Sequence, residues 1–309
     1  MKNANRKILS QAGMLLTAFI WGGGFIVVKN SLDSFSPLWL LAARFSVAAV
    51  AAPLLFFRRV RHIDKTVLKT GAVSGLLIYL GFVFQTVGVQ YTTASKNALL
   101  TSVYVVLVPF VYWLMIRKKP NPLQIVSALL CFCGIFLLMY KKDFGQLNGG
   151  DLLTLVCGAI FAVQISYLGL HSKKMDSFAL TMVQIWACAA ASVICALIFE
   201  PRQFPAAISS DMLLSVAYLS LLSTLLAYFI QTAAQKYTHP SVASLILSLE
   251  CAIGAILSVL IFRDAFTPLM WTGGALTFGA VIMAQWKTSD PGGEFAAAKP
   301  AAREVRDDA

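Results

Sequence analysis

Glu250 is the residue at which this sequence first raises a question of chemistry. It stands within an apolar run, Leu245-Ile246-Leu247-Ser248-Leu249-Glu250-Cys251-Ala252, where a carboxylate is costly unless it faces a cavity or a partner. The seven candidate aspartates, Asp33, Asp64, Asp143, Asp151, Asp176, Asp211 and Asp264, all fall at the ends of apolar runs or between them. A carboxyl group placed as Glu250 is can exchange a proton or a cationic solute; equally, it can be a structural partner for a cation or a tyrosine. Arg44 is the comparable cation, about two turns into another apolar run that opens after Pro37. A guanidinium there must find a carboxylate, backbone carbonyls or water, or serve as a clamp that snorkels toward the surface. Lys29 closes the first run, within snorkelling reach of the interface, and is a third candidate for coupling or charge pairing.

Other chemistries lack their residues. No G-x-x-x-x-G-K-[ST] occurs, so nothing in the chain cradles ATP phosphates, and H-E-x-x-H and G-x-S-x-G are also absent. The three histidines, His62, His171 and His239, lie between apolar runs, which argues against an intramembrane metal or acid-base site built on them. All six cysteines (Cys131, Cys133, Cys157, Cys188, Cys195 and Cys251) lie inside apolar runs and read as packing, with no disulfide framework. An intramembrane aspartyl protease would need two aspartates at mid-depth. The expectation is a protein that is not an enzyme, with no cofactor and no metal.

The elements that must position Glu250 and Arg44 follow from composition. Of the 309 residues, 58% are hydrophobic and 13% charged, and the mean hydropathy is +0.75, far above that of an ordinary soluble domain. A helix needs about 20 apolar residues to cross a bilayer. Runs of that order lie near 10–28, 36–57, 70–90, 97–116 and 121–140, then 151–170, 178–199, 212–233, 241–262 and 267–286. None alternates in polarity as barrel strands would. The predicted fold class is therefore an all-α integral membrane protein of ten transmembrane helices.

The net charge of +11 is distributed as a topology signal, not as a nucleic-acid footprint. With the N-terminus inside, 18 of 25 basic residues fall inside, against Lys29, Lys96, Lys141, Lys142, Arg202 and Arg263 outside and Arg44 within a span. Both termini are expected in the cytoplasm, the protein in the cell membrane, and the first run retained in place of being cleaved. The basic stretch from Arg58 to Lys69 can touch anionic lipid heads. Nothing in the sequence assigns an oligomeric state.

The stretch Gln85 to Leu123 recurs as Gln231 to Leu269 at a constant offset of 146: Gln85-Thr86, Tyr91-Thr92, Ser95, Leu99 and Ser102 return as Gln231-Thr232, Tyr237-Thr238, Ser241, Leu245 and Ser248. Five spans per copy is an odd number, so the second copy inserts upside down, and inverted repeats are a transporter signature. The expected organisation is a cytoplasmic segment 1–9, a first repeat 10–140, a linker 141–150, a second repeat 151–286 and a disordered tail 287–309. Tyr104 falls opposite Glu250 in this register. Trp21, Tyr79, Tyr104, Gln164 and Tyr228, each within about two turns of its span's centre, are predicted to line one substrate cavity with Glu250. On a continuous ninth helix Ser241, Ser244 and Ser248 share a face with Cys251 and Ala255, and Glu250 points to nearly the opposite side. In the fourth span the predicted irregularity is a kink at Pro109.

These features together resemble the drug/metabolite transporter superfamily in its ten-span EamA-type branch: Trp21-Gly22 followed by Lys29, Arg44 after Pro37, the Glu250 segment, and the two-fold repeat. The resemblance covers about residues 8–286, with Cys251 standing where the family commonly has Pro and Arg117-Lys118 where an acidic residue often ends the fourth span. It implies a central cavity between inverted halves and a secondary transporter of small organic metabolites such as amino acids or related compounds, with export expected ahead of import and proton coupling as one role for Glu250. The alternatives are a multidrug exporter of lipophilic cations and, in another class, a non-transporting membrane enzyme or scaffold.

Overall fold

Local chemistry sets the helix starts. Asp64 accepts the Val67 N–H at 2.7 Å, Asp176 that of Ala179 at 3.0 Å, and Asn148 forms a reciprocal capping box with Asp151. Proline fills the first turn at Pro37, Pro122 and Pro240, where its missing N–H costs nothing. The computed structural model describes residues 2–140, 146–205, 209–262 and 267–286. Lys141 and Lys142 of the linker, Arg263 and the tail 287–309 lie outside the described residues.

All regular elements among the described residues are helices. They run α1 (Lys2–Ser31), α2 (Pro37–Phe56), α3 (Lys65–Tyr91), α4 (Ala94–Thr101), α5 (Tyr104–Ile116) and α6 (Pro122–Met139) in the first half. The second half has α7 (Gly149–His171), α8 (Ser177–Phe199), α9 (Ser210–Ala217), α10 (Ala227–Ala234), α11 (Pro240–Leu247), α12 (Leu249–Phe262) and α13 (Pro268–Trp286). Nine described spans are long and apolar enough to cross a membrane, and α13 supplies a tenth apolar helix. Exposed Leu54, Leu55, Leu114, Ile198, Leu213 and Leu214 give the outer surface the apolar character a bilayer requires. Helix α1 starts eight residues before the apolar run, because Lys2 to Lys7 continue the helix beyond the hydrocarbon.

Three spans are irregular, and each irregularity is local. The fourth is split into α4 and α5 at Ser102-Val103, and the ninth into α11 and α12 at Ser248. At both breaks a serine folds its hydroxyl back onto a carbonyl three residues earlier: Ser102 Oγ donates to Leu99 O at 2.6 Å, and Ser248 Oγ to Leu245 O at 2.9 Å. The two serines and the two leucines are related by the same offset of 146. Pro109 lies inside α5, so the interruption of the fourth span comes about two turns before it. The eighth span joins α9 to α10 through a π-helix over Tyr218–Leu226.

The halves interlock. Helix α1 packs on α12, and its counterpart α7 packs on α4 and α5; α6 packs on α13, and α3 and α2 on α8. Glycines permit the closest approaches: a Cβ on Gly22 would lie 2.7 Å from Glu250 O, and one on Gly134 would lie 2.5 Å from Thr277 Oγ1. The largest core cluster includes Leu99, Tyr104, Val105, Leu245 and Leu249, the residues around the two breaks. The "near end" below is the one at which α1 begins, and the "far end" the one at which α1 ends and α7 begins.

Candidate functional site: a cavity at the helix breaks

The two breaks bring Tyr104 and Glu250 to the first turns of α5 and α12. Glu250 is 5% exposed, and its Oε1 accepts the Tyr104 hydroxyl at 3.2 Å. Its other oxygen has no hydrogen-bond partner among the described residues. The position at the start of α12 favours a carboxylate, since the first N–H groups of a helix carry partial positive charge. The ninth span is not the continuous helix on which its small face was laid out. Its serines are nonetheless buried, with Ser248 Oγ 3.3 Å from Cys131 Sγ, and Cys251 Sγ donates to Ala98 O at 3.2 Å.

Arg44 is 2% exposed and is held on the π-helical segment opposite. Its Nε donates to Thr224 Oγ1 at 2.6 Å, and one Nη donates to Ser223 Oγ at 3.1 Å and to Ser223 O at 3.3 Å. The π geometry makes this possible. The Ala227 N–H bonds to Leu222 O and Thr224 O, which leaves Ser223 O free to accept Arg44 and also Trp21 Nε1 at 2.8 Å. The guanidinium carbon lies 4.1 Å from the Phe82 ring centroid, a cation–π contact. No carboxylate pairs with Arg44 among the described residues. It finds hydroxyls and a carbonyl instead.

Between Arg44 and Glu250 lies a cavity of about 60 Å³. Its walls include Trp21, Phe25, Val28, Phe82, Val89, Asn97, Phe161, Tyr228 and the amides of Gln85, Gln164 and Gln231. On α1 the lining runs from Trp21 to Val28 and on α3 from Phe82 to Val89, so the cavity extends from mid-span toward the far end. Toward the near end it is floored by a buried polar network: Gln164 Nε2 and Gln184 Nε2 both donate to Ser74 Oγ, at 3.3 and 2.8 Å, and Thr232 donates to Gln184 Oε1 at 3.1 Å. A second cavity of about 210 Å³ lies on the other side of Phe25, with Lys29 as the charged residue in its lining.

The structure thus gathers Trp21, Tyr104, Gln164, Tyr228, Glu250 and Arg44 around one cavity. Tyr79 is not in its lining: it sits one turn deeper on α3, packed in a cluster with Leu41, Phe45, Ile78 and Cys188, and Phe82 takes the lining position. Lys29 is also outside this cavity. Its ammonium donates to Val89 O at 2.7 Å and Thr92 O at 3.2 Å, capping the C-terminal end of α3. Sequence reasoning missed Ser223, Phe82, Phe161 and Asn97. The recurrence of Gln85 as Gln231 pointed to two of the amides that line the cavity.

A sequence model of the EamA-like transporter family matches this chain twice, over residues 9–140 and 148–285. The chain belongs to the EamA-like transporter family. An uncharacterized transporter of Archaeoglobus fulgidus is 32% identical over 280 residues, covering 90% of this chain and 86% of its own. A Chlamydia muridarum protein named as an S-adenosylmethionine/S-adenosylhomocysteine transporter is 23% identical over 193 residues, 59% of this chain and 60% of its own. A crystal structure sharing 17% identity superposes with a TM-score of 0.72 over 91% of this chain and 96% of that one, which shows the same fold. The doubled family match falls on the two halves that meet at Tyr104 and Glu250.

Proposed function

We propose that this EamA-family transporter is a secondary exporter of small organic metabolites, amino acids and related compounds first among them, working by alternating access through the central cavity. The observation that carries this reading is that one cavity is lined both by a buried carboxylate, Glu250, at the break of the ninth span and by a buried guanidinium, Arg44, held on the π-helical segment of the eighth; broken helices at the junction of inverted repeats are where transporters of this kind hold solute and coupling ion. The relative named for S-adenosylmethionine and S-adenosylhomocysteine, both amino-acid derivatives, supports the solute class. Trp21, Tyr104, Gln164, Tyr228 and Glu250 remain the proposed substrate-cavity residues, and Tyr79, outside the lining, is replaced by Phe82. Glu250 is the proposed proton-coupling group. Both termini are assigned to the cytoplasm and the protein to the cell membrane, from the distribution of Lys and Arg, so the cavity faces outward. The protein carries out transport and no catalysis.

A multidrug exporter of lipophilic cations is the second reading, favoured by the aromatic walls around Glu250. Purified protein in proteoliposomes, loaded in parallel with a panel of amino acids and of lipophilic cations, distinguishes them. Flux of amino acids above that of empty vesicles is the expected result. Flux of the cations alone selects the second reading, and flux of neither overturns both. An alkaline phosphatase fused to the C-terminal tail should be inactive; activity there reverses the orientation.

A further inference from the structure

The central cavity is symmetric in its middle and lopsided at its ends. In the first two spans of each half the repeats are in register at an offset of 140: α1 and α7 end at Ser31 and His171, and α2 and α8 start at Pro37 and Ser177. From the third span on the offset is 146, as for α4 and α11, which start at Ala94 and Pro240. At these offsets the middle of the lining pairs with itself, Trp21 with Phe161, Gln85 with Gln231 and Tyr104 with Glu250. Val28, Arg44, Val89 and Asn97 also line the cavity, but their equivalents Leu168, Gln184, Gln235 and Ala243 do not. Those four are fully buried, and they lie toward the near end. Leu168 is one turn past Gln164 on α7, Gln235 is one turn past Gln231 at the end of α10, Ala243 precedes the break of the ninth span, and Gln184 belongs to the polar floor. A two-fold operation that carries the middle of the cavity onto itself carries its far arm onto these residues.

The near end is closed at a cost that the far end does not bear. Both amide atoms of Gln235 are buried with no hydrogen-bond partner among the described residues. The same holds for Thr238 Oγ1, in the turn that follows, and for Gln11 Nε2 on α1, the helix that packs on α10. At the far end the equivalent positions are settled. Val89 is apolar, and Thr92 Oγ1 donates at 2.8 Å to Asp151, the equivalent of Gln11, which is paired with Lys96 at 2.6 Å. A buried donor or acceptor left unpaired bears its full desolvation penalty, and water entering the near arm would relieve it.

We infer that the near end holds a second, closed arm of the solute path, lined by Leu168, Gln184, Gln235 and Ala243, and that Gln235 is the positioning residue that biases this arm to open. The inference rests on the alternating-access reading above and names the residues of its other state. With the near arm closed the Gln235 amide is dry and unpaired; with the arm open it is hydrated, so it narrows the free-energy gap between the two forms. The arms also differ in chemistry. A solute meets neutral amides, Gln184 and Gln235, from the near side, where the far side presents the Arg44 guanidinium and the apolar Val89.

Thiol labelling of the full chain in lipid nanodiscs tests this, with the charged reagent 2-(trimethylammonium)ethyl methanethiosulfonate and the wild-type chain, which carries six native cysteines, as the blank. Leu168→Cys and Ala243→Cys report on the arm, and Ile135→Cys, equally buried on α6 and outside it, is the control. Both reporters should label faster than the control although all three sites are dry in this structure. Adding Gln235→Met, which keeps the side-chain length and removes the unpaired atoms, should raise the melting temperature and slow labelling of Leu168→Cys by at least about fivefold. Reporters as slow as Ile135→Cys overturn the arm. A lower melting temperature in Gln235→Met, or an unchanged labelling rate, overturns the role of Gln235 and leaves it an ordinary buried amide. If Gln235→Met does not purify as a monodisperse species, the reporters in the otherwise wild-type chain decide. Labelling needs no solute, so its failure is separate from a failure of the transport reading, which the proteoliposome flux panel judges.

Discussion

The Tyr104 hydroxyl donates to Glu250 Oε1 across 3.2 Å, and the two residues stand 146 positions apart, the offset that relates the two repeats. Residues related by a two-fold operation can touch each other only where they lie on its axis. The pseudo-two-fold axis of the molecule therefore passes between Tyr104 and Glu250, immediately beyond the paired breaks at Ser102 and Ser248. Chemistry differs where symmetry would make the residues alike: one repeat supplies a phenol and the other a carboxylate. In the alternating-access reading proposed above, a group on the axis moves least as the two halves rock, so Glu250 would keep its partner while the ends of the cavity exchange access.

Glu250→Gln preserves shape and hydrogen bonding to Tyr104 while removing titration. If Glu250 carries the coupling proton, transport driven by a pH gradient should be lost, with expression and thermal stability within about 1 kcal/mol of wild type, as for an isosteric change. Unchanged pH-driven flux in Glu250→Gln proteoliposomes would leave Glu250 as a structural partner of Tyr104.

Tyr104→Phe asks the opposite question. Deleting a hydrogen bond to a charged group costs about 1.5–3 kcal/mol. If the carboxyl is ionised, thermal unfolding of the variant should register a loss of that order. A loss below about 0.5 kcal/mol, the range of substitutions that touch nothing, would mean that the hydroxyl contributes little to holding Glu250.

Thr224 tests the seat of the guanidinium. It accepts Arg44 Nε at 2.6 Å and donates to Leu219 O at 2.7 Å, five residues back along the π-helix. Thr224→Val keeps the volume and loses both bonds, so it should destabilise by about 1.5–3 kcal/mol, whereas Thr224→Ser retains the hydroxyl and should stay within about 0.5 kcal/mol of wild type. Equal melting temperatures for the two variants would refute the clamp.

Much of this fold can be read from the chain because the bilayer imposes it: hydropathy marks the spans, and an exact offset marks the duplication. The exceptional residues Glu250 and Arg44 are visible for the same reason, since a charge inside an apolar run has few explanations. The breaks are harder. Pro109 is the obvious helix breaker, yet the fourth span parts at Ser102, where a hydroxyl competing for a backbone carbonyl looks like any other serine. Its one signal is that Leu-x-x-Ser occurs at the same place in both copies. The π-helix over Tyr218–Leu226 has no compositional signature, so the availability of Ser223 O to Trp21 and Arg44 could only be seen in coordinates. Tyr79 shows the limit of reasoning from depth alone: it lies close enough to mid-span, but Phe82 one turn on is the residue that reaches the cavity.

Gly22 couples packing to the site. A Cβ there would meet Glu250 O at 2.7 Å and Gly254 N at 2.9 Å, both backbone atoms that cannot swing aside. Gly22→Ala should cost about 1–3 kcal/mol, as overpacking does, and should lower transport because it displaces the backbone that carries Glu250. Gly279→Ala is the control: nothing lies within 4 Å of its Cβ, and in a helix the change should gain up to about 1 kcal/mol. Wild-type flux and stability in Gly22→Ala would contradict the close approach of α1 to α12.

The last prediction concerns acid at the near end. His239 caps α11 by accepting the Ser241 N–H on Nδ1 at 3.3 Å, and its ring stands edge-on to Tyr112 at 4.9 Å. Its repeat equivalent, Thr93, caps α4 by accepting the Lys96 N–H at 3.1 Å, so the same task is done by a titratable group in one copy and a neutral one in the other. Burial, with the Lys173 ammonium as the lesser cause, lowers the His239 pKa from 6.5 to about 4. The sign follows from linkage: below pH 6.5 the unfolded chain binds a proton that the folded ring refuses until about pH 4, so the stabilisation is complete above pH 6.5 and is lost as pH falls through that window. Because the ring is only partly buried, the loss is at most about 3 kcal/mol at the low end. His239→Thr installs the cap used by the other repeat and removes the titration. Melting temperatures measured from pH 7.5 to pH 4.5 should fall less steeply for His239→Thr than for wild type, with the two curves meeting near neutrality. Parallel curves would show that His239 does not stay neutral in the folded protein.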